Sequence, residues 1–230
     1  ADADCRARRD ERESPRATAA ADACTAALES ARGPADRLPP RRAAADADHY
    51  FAADGAADGS DDAQATGENA VASGAGSVAG GYRSVATGHH AQAGDQWGIA
   101  VGSESTAAGL GDVAMGAKSK AEGGSSVAIG GAFNTFAGWE YTAATGTQGV
   151  AVGAGAKASG DYGTAVGPVA RATAFATTAM GNFALASGEN ATALGANTQA
   201  LAATSSALGS NAQARAAGAT ATGYDARVLE

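Results

Sequence analysis

Val113-Ala-Met-Gly116, ten residues, then Val127-Ala-Ile-Gly130: the recurrence of this phrase decides the fold. It occurs earlier as Val71-Ala-Ser-Gly74, Val85-Ala-Thr-Gly88 and Ile99-Ala-Val-Gly102. It resumes as Val150-Ala-Val-Gly153, Thr164-Ala-Val-Gly167, Thr178-Ala-Met-Gly181, Thr192-Ala-Leu-Gly195, Ser206-Ala-Leu-Gly209 and Thr220-Ala-Thr-Gly223. The period is fourteen residues. A second, weaker glycine column lies half-way between, at Gly67, Gly81, Gly109, Gly123, Gly160 and Gly188. Self-similarity at a fixed short period marks a repeat architecture. Seven residues suit a short strand and a tight corner, and glycine provides the corner. Two strands and two corners make one flat coil. Stacked coils pair each strand in parallel with its copies above and below. Fourteen is also two heptads, but two glycines per period, at about 1 kcal/mol each, disfavour a helix.

Side chains alternate faces along a strand. The residue two before the first glycine is always alanine, from Ala72 to Ala221. The other half-coil repeats small residues in the same phase, as in Ser77 and Ala79, Ser105 and Ala107, Ala156 and Ala158. The interior is therefore narrow, and a leucine there would overpack it by about 1–3 kcal/mol. The outward positions differ between the strands. The first strand carries Val71, Val85, Ile99, Val101, Val113, Met115, Val127, Ile129, Val150, Val152, Val166, Met180, Leu194 and Leu208. The second carries Gln92, Thr106, Lys118, Lys120, Glu122, Lys157, Arg171, Gln199, Gln213 and Arg215. One outer wall is aliphatic and the other polar. A continuous aliphatic wall marks an interface, so the roll is expected to pack on copies of itself. The fourteen aliphatic residues are the expected interface.

The phrase Ser126-Val-Ala-Ile-Gly130, repeated in register over Gly67–Gly223, resembles the head repeat of trimeric autotransporter adhesins, the YadA-like family. The resemblance implies an all-β, left-handed parallel β-roll of fourteen-residue coils, assembled as a homotrimer on the surface of a Gram-negative bacterium. It implies adhesion to host cells, extracellular-matrix proteins or other bacteria. Handedness and the number three come from the family. On the same resemblance the chain is expected to be a processed or recombinant fragment without stalk or membrane anchor. Residues 224–230 then form a truncated end, with Leu229-Glu230 read as a cloning scar.

Roughly ten and a half coils at about 4.8 Å give a roll near 50 Å long. Between Gly130 and Gly153 the spacing is twenty-three instead of fourteen, so nine extra residues leave the roll within 131–149. They bring Phe133, Phe136, Trp139 and Tyr141 together. Insertions in repeat arrays map to corner loops, often on a binding face, and aromatic anchors are common in recognition sites. These four residues are a candidate ligand-binding loop. The other reading is that the rings cover a neighbouring subunit. Trp97 and Tyr162 are read as local packing, and Asn190, Asn197 and Asn211 as corner residues tolerant of left-handed geometry.

Residues 1–66 lie outside the repeat. Their mixed charge, alanine-rich Thr18–Ala31, Pro39-Pro40 and acidic 54–64 predict a leader that is largely disordered, with one short helix. Cys5 and Cys24 fall there and read as two thiols, with a disulfide as the alternative in an exported protein. His49-Tyr50-Phe51 either caps the open end of the roll or forms a loop. The net charge of −8 disfavours a nucleic-acid partner. No apolar run reaches the ~20 residues that span a bilayer, and no leader peptide opens the chain. His89-His90 reads as a surface corner with no third ligand beside it. No catalytic set, cofactor site or metal site is expected, and no enzyme. Two alternatives to adhesion are a structural spacer and, more remotely, ice or crystal-surface binding by the threonine column at Thr164, Thr178, Thr192 and Thr220.

Overall fold

A computed structural model describes residues 59, 61–135 and 138–229 of the chain. The expectations for residues 1–58, including the Thr18–Ala31 helix, Cys5, Cys24 and His49-Tyr50-Phe51, lie outside the described residues, as does Phe136. At its end the expected leader is corrected, because Gln64–Ala65 is a strand paired with Val78–Ala79. Within them the chain is all-β and winds into a parallel solenoid. Eleven three-residue strands, from Val71–Ser73 to Thr220–Thr222, stack into one sheet. Twelve two-residue strands, from Gln64–Ala65 to Arg227–Val228, stack into the other. The strands thus begin three residues before Gly67 and end five after Gly223, completing rather more than ten and a half coils.

The register is the sequence period. Val71 pairs with Val85, Ala72 with Ala86, and so on at intervals of fourteen. Across the insertion the interval is twenty-three, Val127 with Val150 and Lys120 with Ala143, and the ladder continues unbroken. Backbone amides along each strand donate alternately to the next coil and to the one before, as from Val127 N to Gly149 O and from Gly130 N to Met115 O, both at 2.8 Å. A short strand cannot satisfy its backbone alone, so the stack supplies what each coil lacks.

The core is a column of alanine. Ala72, Ala86, Ala100, Ala114 and their successors are fully buried, and so are Ala79, Ala93, Ala107 and Ala121 of the facing sheet. Buried hydroxyls fill the rest and are mostly tied to corner carbonyls: Ser105 Oγ donates to Gly102 O at 2.8 Å and Thr198 Oγ1 to Gly209 O at 2.8 Å. This accords with the narrow interior inferred from composition.

The corners hold more left-handed residues than their glycines imply. Apart from the corner where the inserted residues leave the roll, the corners have a left-handed position two residues after the glycine column, with φ near 55° for its non-glycine residues. Asn190, Asn197 and Asn211 occupy it, but so do Arg83, Trp97, Tyr162, Val169 and Phe183. The reason is the stack: the amide of this residue bonds the corner of the coil before, as from Trp97 N to Tyr82 O at 2.9 Å. Position thereby overrides the residue's own preference. Lys118 also sits here, at φ 58°, so it belongs to a corner and not to the polar strand face inferred for it. At Gly102 the constraint is double. Its φ is +133°, and an added Cβ would lie 2.6 Å from the Gly116 backbone.

One interior residue breaks the small-residue rule. Asp112 is fully buried. Its Oδ1 accepts from Ser126 N at 2.8 Å and Ser126 Oγ at 2.9 Å, and its Oδ2 accepts from Gly109 N at 2.7 Å. In other coils the amide equivalent to Ser126 N donates to the carbonyl of its own corner, as Ser84 N does to Gly81 O. The corner at Gly123–Ser125 is shaped differently, with Gly124 also left-handed at φ +79°. The Asp112 carboxylate supplies the acceptor there.

Two outcomes check this account. Gly102→Ala is expected to destabilise the roll by about 2–5 kcal/mol, combining left-handed strain and overpacking, seen as a lower denaturation midpoint. Asp112→Ala leaves the buried Ser126 amide without an acceptor, at about 1–3 kcal/mol, and removes the acceptor of the half-buried Gly109 amide. Asp112→Asn, which turns an NH2 toward one of those donors, is expected to lose stability too. An unchanged midpoint for Asp112→Ala would mean that the Gly123–Ser125 corner returns to the common geometry unaided.

Candidate functional site

The two outer walls differ chemically as the sequence predicts. On the three-residue strands, the fourteen aliphatic residues from Val71 to Leu208 all point away from the alanine core, and none is buried in the single chain. Ile99, Met115, Ile129 and Met180 are exposed and the others half-buried. They form two columns. The column nearer the strand start changes from valine to Thr164, Thr178, Thr192 and Ser206, while the other remains aliphatic through Val166, Met180, Leu194 and Leu208. The two-residue strands instead present Gln92, Thr106, Lys120, Lys157, Arg171, Gln199 and Gln213.

The nine-residue insertion is a β-hairpin. Ala132–Thr135 pairs antiparallel with Gly138–Tyr141, matching Ala132 with Tyr141 and Asn134 with Trp139. It leaves the roll at the corner after Val127–Ile129. Thr142 seals the departure point: it is fully buried, and its hydroxyl lies 2.7 Å from Gly153 O and 3.1 Å from Gly131 O. Trp139 and Tyr141, two residues apart, share one face of the hairpin. That face overhangs the corners of the two preceding coils. A groove of ≈ 310 Å³ opens between them, lined by Ser103, Ala117, Lys118, Ala132, Trp139 and Tyr141. Trp139 remains 60% exposed. Of the four aromatic residues singled out in the sequence, the fold thus brings Trp139 and Tyr141 together at one groove. Phe133 lies on the outgoing strand, opposite Glu140.

Charge fixes the hairpin on both sides. Glu140, on the opposite face from Trp139, forms ion pairs with Lys157 and, at 3.3 Å, with Arg171 of the two following coils. The Lys157 hydrogen bond holds the Glu140 carboxyl below its ordinary value. Partial burial opposes this, and the Lys157 and Arg171 charges reinforce it. On the groove side Lys118 pairs with Glu104 at 3.3 Å and lies 5.6 Å above the Tyr141 ring. Glu140 and Asp112 were not singled out in the sequence. The partners of Glu140 lie in later coils at intervals other than fourteen, and Asp112 joins its own corner at Gly109 to Ser126 of the next coil.

The remaining sequence candidates are simply placed. His89 and His90 stack edge-on at 4.1 Å in an exposed corner. Among the described residues, no three His, Cys, Asp or Glu side chains come together as a metal site. Trp97 and Tyr162 are about half exposed, which local packing does not account for, although Tyr162 meets Phe175 edge-on at 5.4 Å.

Comparison with known proteins matches the family model of the YadA head domain repeat (two copies) at residues 65–91, 98–119, 107–132, 144–170, 172–198 and 200–226. Together these are more than half of the chain. No curated protein sequence matches. Among solved structures the chain is similar to the collagen-binding domain of the Yersinia adhesin YadA, with 27% identity, 66% of this chain and 72% of that chain covered, and a TM-score of 0.44.

The hairpin anchor has a pH signature. The folded Glu140 value lies below the ordinary 4.5. Its stabilising contribution is therefore complete above the unfolded value and lost as pH falls through the folded one. With Trp97→Phe leaving Trp139 as the only indole, acidification is expected to shift Trp139 emission as the hairpin loosens. Glu140→Gln should give the loosened signal already at neutral pH, with no acid step. An acid step of the same size in Glu140→Gln would assign the anchor to other groups.

Proposed function

The chain belongs to the YadA head-repeat family of bacterial surface adhesins, and from that membership we propose that the solenoid is the ligand-facing head of a homotrimeric adhesin. The observation that carries the assembly is the aliphatic wall. Fourteen outward Val, Ile, Leu and Met side chains stand unburied beside an interior of alanine. Full burial of such a side chain is worth about 1.5–3 kcal/mol; these are partly covered already, so each offers only a fraction of that, summed over fourteen positions in every copy. The walls of three copies close on one another about a common axis, and the polar sheet faces outward. The head is displayed on the outer surface of a Gram-negative bacterium. Its ligands are extracellular-matrix or host cell-surface proteins, with collagen the first to try. Lys120, Gln92, Gln199, Gln213 and Arg215 on the outward sheet make the contacts. Three copies of each weak contact add by avidity.

Mass in solution tests the assembly. The wild-type chain is expected to run as three copies, and Val113→Lys combined with Ile129→Lys to fall to a single copy or unfold. A well-folded wild-type single chain would overturn the reading. Binding tests the function: the trimer should bind an immobilised matrix protein, and Lys120→Glu with Arg215→Glu should weaken binding without changing mass. Failure of the intact trimer to bind any matrix protein or host cell at micromolar concentration would favour a spacer.

A further inference from the structure

The groove under the hairpin has no occupant within its own coil stack. Its lining is mostly apolar, its one cation is paired with Glu104, and its ≈ 310 Å³ is at the low end of small-molecule sites, which run from about 300 to 1,000 Å³. It is sized for one or two large uncharged side chains.

A cyclic assembly identifies those side chains. When copies share an axis along their stacks, each residue lies at the same height in every copy. When their sheets face that axis, the edge where the strands end meets the next copy's edge where the strands begin. The groove spans the strand-end corners after Ile99–Val101 and Val113–Met115. The strand-start corners of the same two coils carry Trp97 and Leu110, 51% and 45% exposed. Trp97 is held there in a left-handed conformation by the corner ladder, with its ring directed to solvent.

The coincidence of levels recurs. The coils of Thr164–Val166 and Thr178–Met180 carry half-exposed Tyr162 and Phe175 at their strand starts; at their strand ends Phe183 is half exposed, while Val169 is buried within its own coil. The coils of Thr192–Leu194 and Ser206–Leu208 instead carry Asn190 and Thr204 at one edge, with Asn197 and Asn211 at the other. In the coil of Thr178–Met180 an apolar edge thus faces an apolar edge, and in those of Thr192–Leu194 and Ser206–Leu208 polar faces polar. Tyr224 in the last corner stands outside this pattern.

We propose that the hairpin is an intersubunit clamp, its groove filled by Trp97 and Leu110 of the partner subunit. This rests on the cyclic assembly proposed above and assigns the Trp139 face to a second copy of this chain instead of a soluble ligand. The chain has two tryptophans, and both lie at this one contact.

Two measurements on the full chain test it, after the mass measurement has established assembly. In Trp97→Phe only Trp139 emits, and in Trp139→Phe only Trp97. Each is expected to be quenched by acrylamide several-fold less than a free tryptophan amide, although both rings are half exposed in one chain. Next, Leu110→Cys with Ala117→Cys is made in a Cys5→Ser, Cys24→Ser background. These positions lie in the corners at opposite ends of the strand Val113–Met115, more than about 10 Å apart and beyond the reach of a disulfide within a chain. Oxidation is expected to link subunits covalently up to the full ring, while either single variant gives no ring. An intact oligomer with freely quenched Trp139 and no covalent ring would overturn the clamp and leave the trimer standing. Protection of Trp139 only on adding a matrix protein would make the groove a ligand site instead. A single-copy mass would remove the assembly and the clamp together.

Discussion

Every other feature of this solenoid depends on the separation of its two sheets. They lie so close that the space between them accepts alanine, serine, glycine and threonine and little else. A stack this thin offers scant apolar area to withhold from water, so the usual driving force of folding is weak inside one chain. Two consequences follow. The backbone ladder has to be nearly complete, corners included, because unsatisfied amides in so small a body would be decisive. The aliphatic side chains that an ordinary domain would place between its sheets appear instead on the outside of one of them.

The corners show how the ladder dictates conformation. Trp97, Tyr162 and Val169 adopt left-handed backbone geometry that none of them favours. The amide of each is fixed by the coil below, and the cost at one residue is offset by a bond that continues the stack. Asp112 is the converse case. Where the Gly123–Ser125 corner takes another shape, a side chain from the preceding coil provides the acceptor that the backbone no longer offers. Register is thus preserved by whichever group is nearest, main chain or side chain.

These facts mark the limit of what the sequence discloses. Ala72 to Ala221 and the outward Val71-to-Leu208 set were legible because strand alternation has a period of two and the glycines fix its phase. The hairpin's existence was legible from the interval between Gly130 and Gly153. Its antiparallel pairing was not, nor was Glu140 reaching Lys157 and Arg171, because those partners meet only once the coils are stacked. Lys118 was misread because intrinsic propensity does not assign it to a left-handed corner, and only the bond to a neighbouring coil does so. Trp97 was read near a corner, but its exposure was not legible. Asp112 was passed over because a lone carboxylate in a repeat reads as surface variation until its three donors are seen.

The unbroken pairing of Val127 with Val150 carries a broader implication. Coils of fourteen and twenty-three residues contribute identical rungs, so the scaffold is indifferent to how much chain is spent between one rung and the next. Such a corner behaves as an open port: new segments can be spliced in, lengthened or exchanged while the load-carrying lattice stays unchanged. A molecule built this way can diversify its outline without renegotiating its fold.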